Sequence, residues 1–269
     1  MKSLLLIAIP FIVVGCSRSE APPDVDHGQH EGGDHLSHAG HQNGMLIVKT
    51  KPAVAGAGQP VALELMIHGA DDTMVREFDV THEKLVHLIM IREGLDEFAH
   101  VHPAVDEQGN LTISHTFSKA GMYRLYADYK PKDNTATIAT AQIEVTGERS
   151  PAPPLVSNAP GKVTADGLVA NLELSDAKGG KEAEVRFRLA SESGQPIDNL
   201  EPYLGARGHL VVISANGDQY VHAHPIDSTT ASNEVAFRVH FPAAGMYKGW
   251  GQFQIAGQVH TIPFVVETS

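Results

Sequence analysis

The sequence predicts an all-β protein with two tandem β-sandwich domains behind a histidine-rich N-terminal segment that does not fold alone. Three observations carry this reading. Runs rich in Val, Ile, Leu, Thr and Tyr are punctuated by 25 Gly and 16 Pro in 269 residues, a pattern of strands and turns rather than helices. The stretch from His87 ends in His100-Val-His102-Pro103, and the stretch from His209 ends in His222-Ala-His224-Pro225; the matching positions lie 122 residues apart. Ala-Gly-Met-Tyr then recurs with its Tyr at 123 and 247, an offset of 124. One two-residue loop insertion explains the change, so the chain reads as a duplicated domain.

Residues 1–15 have the order of a targeting segment: Lys2, an apolar run from Leu4 to Val14, then a small residue. The run is too short to span a bilayer as a helix. Val13-Val14-Gly15-Cys16 resembles a bacterial lipobox, and Cys16 is the only cysteine in the chain. Cys16 is therefore the expected lipidation site, tethering the protein to a membrane without spanning it. The alternative is an ordinary signal peptide with an incidental cysteine. Ser17 after the cysteine looks like outer-membrane sorting if the source is Gram-negative, with the protein facing the periplasm.

Residues 16–44 are polar and Gly-rich, with too little apolar surface to fold. They carry His27, His30, His35, His38 and His41 among Asp24, Asp26, Glu31 and Asp34. Such a tract reads as a metal-collecting tail without fixed geometry. A solvated tether is the alternative.

The first domain is expected over residues 45–146, with strands near 46–49, 61–67, 111–117, 123–129 and 139–145 around the His87 hairpin. Residues 147–161 are Pro-rich and aperiodic, a semi-rigid linker. The second domain, 162–269, repeats the plan with strands near 168–174, 183–189, 234–241 and 260–266. About seven short strands per hundred residues fit an immunoglobulin-like sandwich, in which Tyr123 and Tyr247 serve as tyrosine-corner residues.

The second hairpin fixes a register. Asn216-Gly217 favours a type I′ turn with φ > 0 at both residues. Val211 then faces His222, and His209 faces His224. Side chains alternate along a strand and opposed residues share a face, so His209, His222 and His224 converge. The first hairpin places His87, His100 and His102 alike. Three imidazoles on one face form most of a transition-metal site. Met122 and Met246 are candidate fourth ligands that would favour Cu(I); core packing is their alternative role. The expectation is one copper per domain, with zinc or nickel as alternatives. His115 and His240 fall on opposite strand faces. His68, His82 and His260 read as surface or local hydrogen-bonding residues.

The pattern of His-Leu and three apolar residues, an acidic turn, aromatic-x-His-x-His-Pro and Ala-Gly-x-Tyr resembles secreted bacterial Ig-like domains of the YtkA-like type. That resemblance implies an exported, metal-handling module. Cupredoxins are a looser analogy, and the chain lacks their ligand cysteine, which argues against blue-copper electron transfer.

The net charge of −12 argues against a nucleic-acid partner. No nucleophile triad, phosphate loop or nucleotide fingerprint is present, so an enzyme is not expected. An open three-histidine metalloenzyme is the least favoured reading. The favoured one is an exported lipoprotein that buffers or delivers copper in the cell envelope, with a metal-transport or envelope protein as partner. Its alternative is an envelope interaction module with structural histidines.

Overall fold

The structure is a computed structural model that describes residues 42–223, 225–226 and 231–269. The targeting segment, Cys16, the tail histidines His27, His30, His35, His38 and His41, and His224 lie outside the described residues. Among the described residues all regular elements are strands.

The first domain comprises β1 (Gln42–Lys51), β2 (Ala55–Gly56), β3 (Pro60–His68), β4 (Phe78–Asp79), β5 (Val86–Arg92), β6 (Phe98–Val101), β7 (Ala104–Val105), β8 (Leu111–Thr116), β9 (Gly121–Pro131) and β10 (Thr137–Thr146). Its strands run β6-β5-β9-β10-β1-β3-β8-β7. β1 joins two layers into one continuous sheet, pairing parallel with β10 at its start and antiparallel with β3 along its length.

The second domain comprises β11 (Gly161–Ala165), β12 (Leu168–Leu174), β13 (Lys181–Ser191), β14 (His209–Ser214), β15 (Tyr220–Ala223), β16 (Pro225–Ile226), β17 (Glu234–Phe241), β18 (Gly245–Ile255) and β19 (Gln258–Thr268). Here the layers separate into a five-stranded sheet, β11-β12-β13-β17-β16, and a four-stranded sheet, β15-β14-β18-β19. The immunoglobulin-like sandwich expected from the strand count is thus present twice. Pro225, which has no N–H to donate, sits where the chain leaves one sheet and pairs in the other, opposite Phe237.

Each core follows the period-2 pattern. Val61, Leu63, Leu65 and Ile67 of β3 point inward with Leu88, Met90 and Leu125. Val185, Phe187, Leu210, Val212 and Phe237 fill the second core. The tyrosine corners form as expected: Tyr123 Oη–H donates to the Lys119 carbonyl at 2.8 Å, and Tyr247 Oη–H to the Ala243 carbonyl at 2.9 Å.

β5 and β14 are buried along their whole length, which one domain core cannot explain. Their second face, Ile89 and Ile91 with Val211 and Ile213, joins Tyr126, Tyr220 and Trp250 in a third apolar cluster drawn from both domains. Phe98 stacks on Trp250 at 4.7 Å, and Tyr126 on Tyr220 at 5.0 Å. The contacts are reciprocal, because Phe98 and Tyr220 are equivalent in the repeat, as are Tyr126 and Trp250. At roughly 2 kcal/mol for each fully buried apolar side chain, this contact brings the two histidine-bearing faces together. The linker is pinned as well: Arg92 donates to the Ser150 carbonyl, and the Asn158 N–H donates to the Val265 carbonyl at 3.0 Å.

The hairpin turns differ from the expected type I′. Of Asn216 and Gly217, only Gly217 has positive φ, at 75°. Gly217 N–H donates to the Ser214 carbonyl at 2.8 Å, and Ser214 N–H to the Gln219 carbonyl at 3.0 Å. This is a four-residue loop built on a type I turn, with its third residue left-handed. Leu95, with φ 54°, closes the first hairpin the same way. The loop gains one residue on each side, so the register survives: Val211 pairs with His222, and Ile89 with His100.

Candidate metal centre

Parity places His87 on one face of β5 with Ile89 and Ile91. Across the ladders, that face continues into His100 of β6 and Asp128 of β9; His102 follows two residues after His100. In the second domain the same face carries His209, His222 and Gln252. Asp128 and Gln252 are equivalent positions, each opposite the first histidine of its hairpin.

Nδ1 of His87 lies 3.1 Å from His100 Nε2 and 3.2 Å from His102 Nε2. One nitrogen from each of His87, His100 and His102 falls in a group spanning no more than 4.8 Å. His209 Nδ1 lies 3.3 Å from His222 Nε2. Metal–nitrogen bonds of about 2.0 Å in a tetrahedron would put the ligating nitrogens about 3.3 Å apart, so the spacings suit an ion between them.

The outward nitrogens decide the protonation pattern. His87 Nε2–H donates to the Thr81 carbonyl at 3.0 Å, and His209 Nε2–H to the Tyr203 carbonyl at 2.9 Å. His222 Nδ1–H donates to Asp128 Oδ2 at 2.9 Å, and His100 Nδ1–H to Gln252 Oε1 at 2.7 Å. Carbonyl and carboxylate oxygens only accept. A neutral imidazole whose outer nitrogen donates has a bare lone pair on the inner one. His87 Nδ1 and His100 Nε2 therefore face each other without a proton from either outer contact, and His209 Nδ1 faces His222 Nε2 at 3.3 Å. A neutral His102 can donate Nε2–H to His87 Nδ1 at 3.2 Å, and with all three inner nitrogens unprotonated the group suits a metal cation.

Burial disfavours the proton. Desolvation pushes His209 down to about 3 and His102 to about 4, with neighbouring histidines adding repulsion. Burial holds His100 and His222 well below the usual imidazole value, and His87 also shifts down. The rings are kept in the neutral state that binds metal.

Both halves of the repeat match one family model, the domain of unknown function DUF8832, at residues 41–147 and 162–269. The chain belongs to the DUF8832 family. Comparison with curated proteins gives no match. Among solved structures, it is similar to the Escherichia coli adhesin FdeC at 13% identity and a TM-score of 0.28, over 83% of this chain and 64% of that one. A Salmonella alpha-2-macroglobulin reacted with methylamine matches at 10% identity and a TM-score of 0.27, over 86% of this chain and 15% of that one. Invasin, a bacterial integrin-binding protein, matches at 9% identity and 0.22, over 82% and 39%. The chain thus spans less than two thirds of each.

The histidine sets of the two DUF8832 domains lie side by side. His87 and His222 have ring centroids 5.4 Å apart, and His100 and His222 are 5.7 Å apart. The cluster sits between the domains. His82, expected to be a surface or local hydrogen-bonding residue, stands beside it, with its ring 6.1 Å from His87 and 5.7 Å from His209. His68 and His260 do make local contacts, to Asp72 and Asp166. His115 packs on Phe117, and His240 pairs with Glu182 on β13.

The methionine expectation is corrected. β9 places Met122 six residues from Asp128, the residue opposite His87. β18 places Met246 six residues from Gln252, opposite His209. At about 3.3 Å per residue both lie roughly 20 Å along the strand, at the turn end of the hairpins. Spacing to a turn motif, read without the ladder, gave no sign of which end it would meet.

Proposed function

We propose that this DUF8832 protein is an exported, lipid-anchored metal-binding module that holds a d-block cation between its domains. His87, His100 and His102 would hold one ion, and His209 and His222 contribute to the same interdomain centre. The carrying observation is the set of acceptor-only partners, Thr81, Tyr203 and Asp128, that strip the inward nitrogens of protons. Such outer contacts orient metal-ligating imidazoles and raise their basicity.

Copper is the first choice by the general affinity order of divalent ions, with zinc or nickel as alternatives. With Met122 and Met246 distant, an all-imidazole set suits Cu(II) or Zn(II) better than Cu(I). The lipobox-like 13–16 segment supports placement in the cell envelope, where buffering or delivery of metal is the fitting role. The histidine-rich tail would collect metal for the centre.

The second reading is an envelope interaction module whose histidines are structural. It is favoured by the burial of His87 and His209, at 1% and 0% exposure, and by their satisfied outer nitrogens. Equilibrium dialysis decides. The full chain, with its five tail histidines replaced by Ala, is dialysed with Cu(II) or Zn(II) and then against a competing chelator. Retention of at least one equivalent supports the metal reading, and retention of none favours the structural one.

A further inference from the structure

His87 is held from within its own domain. Thr81, whose carbonyl takes its Nε2–H, exchanges backbone hydrogen bonds of 2.8 and 3.0 Å with Lys84. The turn between them is left-handed, with His82 at φ 48° and Glu83 at 63°. His100 differs. Its outer nitrogen is held from the second domain, where Gln252 Oε1 accepts Nδ1–H at 2.7 Å. Within the His87–His100–His102 group, the orientation of His100 therefore depends on the other domain being docked.

Gln252 suits this contact. It is buried, at 6% exposure. Its Nε2–H donates to Thr261 Oγ1 at 3.4 Å, which leaves Oε1 turned to His100. An amide oxygen only accepts, so the His100 proton stays on Nδ1, and Nε2 faces His87 Nδ1 at 3.1 Å. The equivalent position of the first domain holds another acceptor, Asp128, which takes Nδ1–H of His222 at 2.9 Å. Side chains two apart share a strand face. Phe98 and His100 on β6 thus meet Trp250 and Gln252 on β18 as one continuous contact: the rings stack at 4.7 Å, and the hydrogen bond follows. Opening the domains would break both together.

We propose that Gln252 is a positioning residue for an ion held by His87, His100 and His102, and that this ion and domain docking strengthen each other. The inference rests on the metal reading above and adds the regulation of that site. In the docked state Gln252 fixes the ring and tautomer of His100. In the open state His100 can turn, or move its proton to Nε2 and block that lone pair. Linkage is reciprocal, so the factor by which docking tightens the ion is the factor by which the ion favours docking.

The test uses the full chain with the five tail histidines replaced by Ala, titrated with Zn(II) against a chelator of known affinity. Gln252→Leu removes the acceptor, and Gln252→Glu keeps an acceptor of the same length. The Leu variant should bind Zn(II) about 10–100-fold more weakly than the parent, and the Glu variant at least as tightly as the parent. A second readout is cleavage of the 147–161 segment, in urea that lets protease cut the metal-free parent. Zn(II) should slow that cleavage in the parent and in Gln252→Glu by a larger factor than in Gln252→Leu. Emission of Trp250, the single tryptophan, reports whether each variant folds. If one variant does not, the other is compared with the parent, and the effect of Zn(II) on cleavage of the parent stands by itself. Parental affinity in Gln252→Leu, or equal weakening in both variants, would overturn the inference. So would Zn(II) that the parent retains without slower cleavage, which leaves the metal reading intact. No Zn(II) retained by the parent would overturn the metal reading itself.

Discussion

His222 Nδ1 lies 2.9 Å from Asp128 Oδ2, and the two residues belong to different domains. The equivalent pair in the other direction is His100 with Gln252, at 2.7 Å. Each domain thus orients a histidine of the other. The carboxylate is the stricter partner, because it has no N–H to offer.

Asp128→Asn should therefore weaken the half of the centre that contains His222. The asparagine can present N–H₂ to His222 Nδ1 and shift the ring proton to Nε2, where it blocks the lone pair. Loss of an outer-shell partner typically lowers metal affinity about 10–100-fold. Competition titration with a chelator of known affinity measures it. Unchanged affinity would show that Asp128 does not set the tautomer.

Acid should destabilise the metal-free protein. The clustered histidines titrate lower in the folded state, with His102 at about 4 and His209 at about 3, than in the unfolded chain, at about 6.5. The unfolded chain then binds more protons between those values, so stability falls as pH falls. The contribution is complete above about pH 6.5 and is lost at up to about 1.4 kcal/mol per pH unit for each ring kept neutral. Urea midpoints at pH 8, 6.5 and 5 should decrease in that order. A midpoint that holds steady or rises on acidification would contradict burial as the cause.

Trp250→Ala should separate the domains before it unfolds either one. Trp250 stacks on Phe98 and is 4% exposed; removing such a side chain costs about 3 kcal/mol or more. Metal retention should drop with it, because the centre needs both faces. Limited proteolysis of the 147–161 segment measures the separation. Protection equal to the parent, with full retention, would show that the interface does not depend on this stack.

Met122→Leu and Met246→Leu should leave metal affinity unchanged, since both residues lie at the far end of their strands. Tyr247→Phe should also spare the metal while costing about 1 kcal/mol of stability. The loss is small because the Ala243 carbonyl keeps a bond from Thr268 Oγ1 at 3.1 Å. Denaturant titration and metal analysis of the same variants check both statements. Lower metal affinity in either Met variant would restore a thioether to the ligand set.

Much of the site was legible from sequence because a hairpin is local. The spacing of His87 to His100, and of His209 to His222, set the register through the loop. Mistaking the turn type did no harm, since two extra loop residues split evenly across the strands. The rest was non-local. Asp128 and Gln252 reach the site from neighbouring strands whose pairing no short motif encodes. His82 arrives on a left-handed turn that nothing in Thr81-His82-Glu83-Lys84 announces. One signal was available for the shared interface. Leu88 to Ile91 and Leu210 to Ile213 are unbroken apolar runs without alternation, as expected of strands covered on both faces.

The most direct measurement is X-ray absorption at the metal edge of protein loaded with Cu(II) or Zn(II) after replacement of the five tail histidines. The account expects a first shell of nitrogen at about 2.0 Å with imidazole scattering and no sulfur. A shell of oxygen alone, a sulfur contribution near about 2.3 Å, or no metal retained for measurement would contradict it.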